Sequence, residues 1–120
     1  MGSNIEAVKV LDECKALMIK KSNDYQNPDS AIVQADYYPR GLNTLLDIAW
    51  GKVLRMRSVA EAMEKNPSYQ ENFESIEDSA KDLINYCAFI VSYSRGKIPG
   101  QNPENDCFNR PIIPPKSITD

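Results

Sequence analysis

The stretch Leu42–Lys65, LNTLLDIAWGKVLRMRSVAEAMEK, decides the fold class. Its apolar positions Leu42, Leu46, Ala49, Val53, Met56, Ala60 and Met63 step alternately by four and three without a break. That spacing returns each side chain to one face of an α-helix, and no proline interrupts it. The reading is a single helix over the whole stretch, about 36 Å long at 1.5 Å per residue.

Two further segments carry the same period. From about Asn4 to Lys21, Ile5, Val8, Leu11, Cys14 and Met18 recur by three or four; from about Ser75 to Ser94, Ile76, Ala80, Leu83, Cys87 and Ile90 do so. Alternating fours and threes keep one seam turned toward a neighbouring helix. The break NPSYQEN at residues 66–72 joins the second and third segments closely enough for a helical hairpin. The expected fold is therefore all-α, a three-helix bundle with a long antiparallel hairpin and the first helix packed across it. Helices this long in so small a chain lead us to expect a homo-oligomer.

Two regions lack this period. Residues 22–41 hold SNDYQNP, a short helix expected at Asp29–Ala35, and then YYPRG. Long loops in small domains tend to carry function. Residues 96–120 contain Pro99, Pro103, Pro111, Pro114 and Pro115, which bar a continuing helix. Phe108, Ile112 and Ile113 suit an extended arm that lies on a protein surface. The expected organisation is a helical domain at 1–95 and a Pro-rich arm at 96–120.

Composition narrows the function. With 120 residues, 42% hydrophobic and 26% charged, the chain has the balance of one globular domain. A net charge of −3 disfavours general nucleic-acid or membrane-surface binding. There is no histidine, so Ser–His and Cys–His nucleophile pairs are excluded and the commonest zinc ligand is missing. Cys14, Cys87 and Cys107 are odd in number and form no CxxC. Reduced thiols in a cytoplasmic protein are expected, and no apolar run is long enough to cross a membrane.

Three constellations remain as candidate chemistry. On the third helix, Glu74, Asp78, Asp82 and Asn85 step by four, four and three, which lines their oxygens along one side. Such a row asks for a cation, and carboxylates with water and phosphate suit Mg²⁺. Asp78 reads equally as a capping-box residue within SIED. Asp82 lies too deep in the helix for that role.

The second constellation is Asp47, Trp50, Gly51, Lys52 and Arg55 on the middle helix. A glycine within a strong helix costs about 1 kcal/mol relative to alanine and suggests close approach by a backbone or a ligand. Lys52 and Arg55 can pair with the acids of the third helix or hold phosphate oxygens. Trp50 reads either as core or as part of a ligand site. The third constellation is the turn expected at Lys20–Pro28, in which Asp24 offers an acceptor and Tyr25 a ring to stack.

Together KSNDYQNP, DIAWGKVLR and ESIEDSAKDLINYCAFIV resemble the nucleotide modification associated domain 1 family, known mainly from phages and bacteria. The resemblance spans roughly residues 5–93. It falls on Lys21, Asp24 and Tyr25, on Lys52 and Arg55, and on Glu74, Glu77, Asp78, Asp82, Asn85 and Tyr86, with Gly51 where an acid often precedes the lysine. The family is similar in architecture to the all-α MazG-like nucleotide pyrophosphatases, which hold Mg²⁺ with an E-x-x-E pair and a second acidic pair. Within DIAWGKVLR, the element of the middle helix on which the resemblance falls, there is no E-x-x-E pair and Asp47 is the one acid.

The resemblance implies a nucleotide-type ligand. Tyr25 would stack on the base, Asp24 and Asn85 would read polar groups, and Lys21 and Trp50 would complete the ligand set. Lys52 and Arg55 would meet phosphates, and Asp78 and Asp82 would hold Mg²⁺ or ribose hydroxyls. An incomplete metal cage favours binding without turnover, since a metal-activated water must be held as well as polarised. No residue is assigned a catalytic role. By analogy the chain is expected to be a phage-type protein that sequesters a nucleotide signal as an anti-defence device. The alternatives are a Mg²⁺-dependent nucleotide pyrophosphatase or nucleotide-modification enzyme, and a ligand-free inhibitor of a partner protein.

Overall fold

A computed structural model describes residues 5–66 and 73–112, without the side chains of Tyr25, Phe73 and Glu74. The described residues form three α-helices, α1 (Ile5–Tyr25), α2 (Leu42–Lys65) and α3 (Phe73–Ser94), with a 3₁₀ turn at Gln34–Tyr37 between α1 and α2. Among the described residues there is no strand, only an isolated antiparallel bridge between Asn105 and Pro111. No helix there is long and apolar enough to cross a membrane. The connection at 67–72 and the end of the tail at 113–120 lie outside the described residues.

Helices α2 and α3 pack along each other, and α1 packs on α3. The Asn85 side-chain amide donates to the Cys14 carbonyl across 3.1 Å, and Lys81 Nζ lies 3.7 Å from Glu13 Oε1. Cys14 and Asn85 are buried at this crossing. Earlier in α1, by contrast, Ile5, Val8 and Leu11 stay half exposed.

Helix α1 is longer than its apolar stripe suggested. Ser22, Asn23 and Asp24 are weak helix formers, yet no proline occurs until Pro28. The helix therefore runs on to Tyr25, and the Ser22 hydroxyl bonds back to the Ile19 carbonyl at 2.6 Å. The expected turn at Lys20–Pro28 thus begins only at Gln26. The short helix expected at Asp29–Ala35 is displaced to Gln34–Tyr37. Side chains take the backbone donors ahead of it: Asn27 Oδ1 accepts from Asp29 N–H, and Ser30 Oγ from Ile32 N–H.

The buried core sits at one end of the hairpin. Tyr38, Leu45, Tyr93 and Ile98 form it, with Ile48, Tyr86, Phe89 and Ile90 packed around. Tyr38 and Tyr93 meet edge to face, 6.3 Å between centroids at 79°. The buried face of α2 follows Leu45, Ile48, Lys52 and Met56, whereas Leu46 and Val53, expected in the seam, are exposed. On α3, Cys87 is exposed and the strip through Tyr86, Phe89 and Tyr93 turns inward.

Residues 95–112 bond to this end in a series of turns. Helix α3 closes in a Schellman motif, Lys97 N–H to Ser92 O at 2.9 Å and Gly96 N–H to Tyr93 O at 2.9 Å; Gly96 supplies the positive φ of 72° that such a cap requires. Ala35 N–H then donates to Pro99 O, and Leu42 N–H to Cys107 O at 2.8 Å. The latter satisfies an amide in the first turn of α2 that its own helix cannot. Gly41, just before it, has φ 58°. A Cβ there would lie 2.5 Å from the Cys107 carbonyl oxygen.

Candidate functional site

Lys52 follows Leu45 by seven residues and so falls on the buried face of α2. An ammonium there needs a partner, which α3 supplies. Lys52 Nζ lies 3.3 Å from Asp82 Oδ2. From α1, Lys21 Nζ reaches Asp82 Oδ1 at 3.4 Å. One carboxylate, a quarter exposed, thus gathers two ammonium groups from different helices. Among the described residues these ion pairs set two positive charges against one negative.

These groups border a cavity of about 110 Å³ that is also lined by Met18, Asn85, Tyr86 and Phe89. Tyr86 and Phe89 pack edge to face, centroids 5.5 Å apart. A second cavity of about 240 Å³ shares Met18 and Phe89 with the first. Ser22, Gln26, Gln34, Ser92 and Lys97 give it polar walls. Gln34 is buried, and its side-chain amide donates to the Tyr38 hydroxyl at 3.1 Å. The two cavities together offer cations at one end and hydrogen-bonding groups over an apolar floor at the other.

Of the residues singled out from sequence, the fold brings Lys21, Lys52, Asp82, Asn85 and Tyr86 to the first cavity. Asn85 arrives with its amide nitrogen already donated to Cys14. The others lie elsewhere. Trp50, expected beside Lys52, is 61% exposed, because two residues along a helix turn a side chain by about 200°. Arg55 and Asp24 are exposed and line neither cavity. The Tyr25 side chain lies outside the described residues, as does that of Glu74. Gly51, expected to mark a close approach, has nothing within 4 Å of where a Cβ would stand.

Asp78 is exposed, one turn from Asp82, and both Asp82 oxygens face lysine ammonium groups. Among the described residues no three His, Cys, Asp or Glu side chains converge. Asp47, one turn before Gly51 on the middle helix, pairs with Arg40 on the surface. No catalytic step is therefore derived through a metal.

Sequence reasoning passed over Met18, Phe89 and the second cavity. Phe89 had a signal, since Asp82, Tyr86, Phe89 and Tyr93 step by four, three and four. Lys97 and Gln34 had none, because they reach the cavity through turns without periodicity. No family model, curated protein or solved structure matches the chain, so the resemblance noted above rests on the quoted residues alone.

Proposed function

We propose that the chain binds a phosphorylated small molecule, of nucleotide type, in the joined cavities between α1 and α3. The supporting observation is the cluster in which Lys21 and Lys52 share the single carboxylate of Asp82 beside an aromatic wall. A phosphate entering there meets two point-charge donors whose counter-charge is incomplete. The first cavity suits a phosphate group. The larger one beside it, with Ser22, Gln26, Gln34 and Ser92, suits the polar edge of a base or sugar.

The resemblance to nucleotide modification associated domain 1 supports the choice of a nucleotide over another phosphate. Binding without turnover is the favoured mode, because among the described residues Asp82 is the one acid lining the first cavity, and a metal-activated nucleophile must be held as well as polarised. Sequestration of a nucleotide signal by a phage-type protein is the use we infer from that mode, by analogy alone.

The test is a thermal-shift screen against mono-, di-, tri- and cyclic nucleotides with and without Mg²⁺, followed by chromatography of the heat-released ligand. Stabilisation with intact ligand recovered supports sequestration. Pyrophosphate or monophosphate release would instead establish the pyrophosphohydrolase. No stabilisation by any nucleotide would overturn the proposal and favour a ligand-free partner inhibitor, and a shift that Lys52→Met leaves unchanged would overturn the placing of the ligand in these cavities.

A further inference from the structure

The outer face of α2 is apolar at its centre and charged toward both ends. Trp50 is 61% exposed, with Leu46, Val53 and Leu54 exposed around it. Asp47 lies on the N-terminal side of this patch, and Arg57 and Glu61 on the C-terminal side, all exposed. Asn43, Asp47, Trp50, Leu54, Arg57 and Glu61 step by four, three, four, three and four. That is a second helix-packing seam, turned away from α3. Isolated exposed apolar residues are ordinary, whereas a contiguous group that includes the chain's one tryptophan marks an interaction surface.

We propose that this seam packs against the same seam of a second copy, the two α2 helices running antiparallel about a two-fold axis. The charge pattern selects both occupant and direction. In an antiparallel pair centred at position 52, each Trp50 meets Leu54 of the other copy, and each Asp47 meets Arg57. Asn43 then faces Glu61, an amide donor opposite a carboxylate. Every layer is complementary to itself under the two-fold, as an isologous interface requires. A parallel pair would set Asp47 against Asp47, Arg57 against Arg57 and Glu61 against Glu61, all repulsive. Within the chain, Asp47 pairs with Arg40, while Arg57 has no ion-pair partner among the described residues. The proposed contact supplies one.

This inference stands on a different face of α2 from Lys52 and does not depend on ligand binding. It makes the anticipated homo-oligomer specific: one helix, one register, one axis.

Sedimentation equilibrium of the full chain should give twice the 13.5 kDa chain mass. Because Trp50 is the sole tryptophan, its emission should shift to the blue as concentration rises and the ring loses water. Trp50→Glu and Leu54→Glu should each give monomers with unchanged helical circular dichroism. Arg57→Asp should weaken the dimer at least about tenfold by setting like charges opposite, and the exchange Asp47→Arg with Arg57→Asp should restore most of the loss. A wild-type chain still monomeric at about 0.1 mM overturns the proposal. So does a dimer insensitive to Trp50→Glu, which would use another face. A monomer whose Trp50 emission is already blue would mean that the chain's own tail or a bound impurity covers the face, and overturns it equally.

Discussion

Lys52 Nζ lies 3.3 Å from Asp82 Oδ2 and so ties α2 to α3 at the mouth of a cavity. Lys52 is 28% exposed and Asp82 26%. The pair is thus wet enough to open for a competing anion, and a pair of this kind contributes about 1 kcal/mol or less to stability. Lys52→Met keeps the packed stem and removes the charge. Its unfolding free energy, read by urea titration, should fall by no more than about 1 kcal/mol. Calorimetric affinity for the nucleotide that stabilises the wild type should fall at least about tenfold.

Asp82→Asn leaves Lys21 and Lys52 gathered without their shared counter-charge. Stability should drop by about 1–2 kcal/mol, because breaking a partly buried pair costs more than the pair is worth. Inorganic phosphate should raise the melting temperature of this variant more than that of the wild type, since the anion replaces the lost carboxylate. Equal shifts would show that the cavity does not take phosphate.

Asn85 is buried where α1 crosses α3, and its amide is the donor to the Cys14 carbonyl. Asn85→Leu should cost about 1 kcal/mol in urea unfolding. Amide exchange should quicken in α1, because fewer contacts then hold that helix to the hairpin.

Gly41 and Gly51 should respond oppositely to alanine. Gly41→Ala combines a positive φ with a Cβ 2.5 Å from the Cys107 oxygen, and should destabilise by about 2 kcal/mol or more. Gly51→Ala places a methyl in open space within a helix, and should stabilise α2 by up to about 1 kcal/mol. Calorimetric melting of both variants checks the contrast.

Asp106 should titrate below the ordinary carboxylate range. The Arg110 backbone N–H is the largest cause, with the Phe108 N–H and the Arg110 guanidinium adding to it against a smaller opposing desolvation. A depressed folded-state value means that the carboxylate's contribution is present above the unfolded value near 3.8 and lost as pH falls through the folded one. Carbon-detected NMR of Asp106 should show its midpoint below the ordinary carboxylate value of 3.8. Order in the 104–112 turns should persist past the pH at which free carboxylates protonate, and Asp106→Asn should remove that acid-range dependence.

The helices were legible because their period is a local property of the chain. The bounds of α2 follow from uninterrupted spacing between Gly41 and Asn66, and the pairing of α2 with α3 follows from two amphipathic helices joined by a short break. Rotation about the helix axis was less legible. Two apolar seams run along α2, one through Leu45 and one through Leu46, and sequence alone gave no reason to bury the first. Tyr38 and Ile98 decide it from outside the helix, by filling the end where Leu45 points.

The candidate site divides in the same way. Charge and spacing alone pointed to Asp82, too deep in its helix to be a cap, and to Lys52 as a candidate partner for the acids of the third helix. Lys21 joins them only because α1 crosses α3 at Cys14 and Asn85. Trp50 and Arg55, close in sequence, were carried away by the turn of their own helix. Local spacing fixes which residues become helical, because backbone hydrogen bonds close within four positions. Which face turns inward, and so which charges meet, depends on contacts between residues far apart in the chain, and these exist only once the helices and the tail have packed.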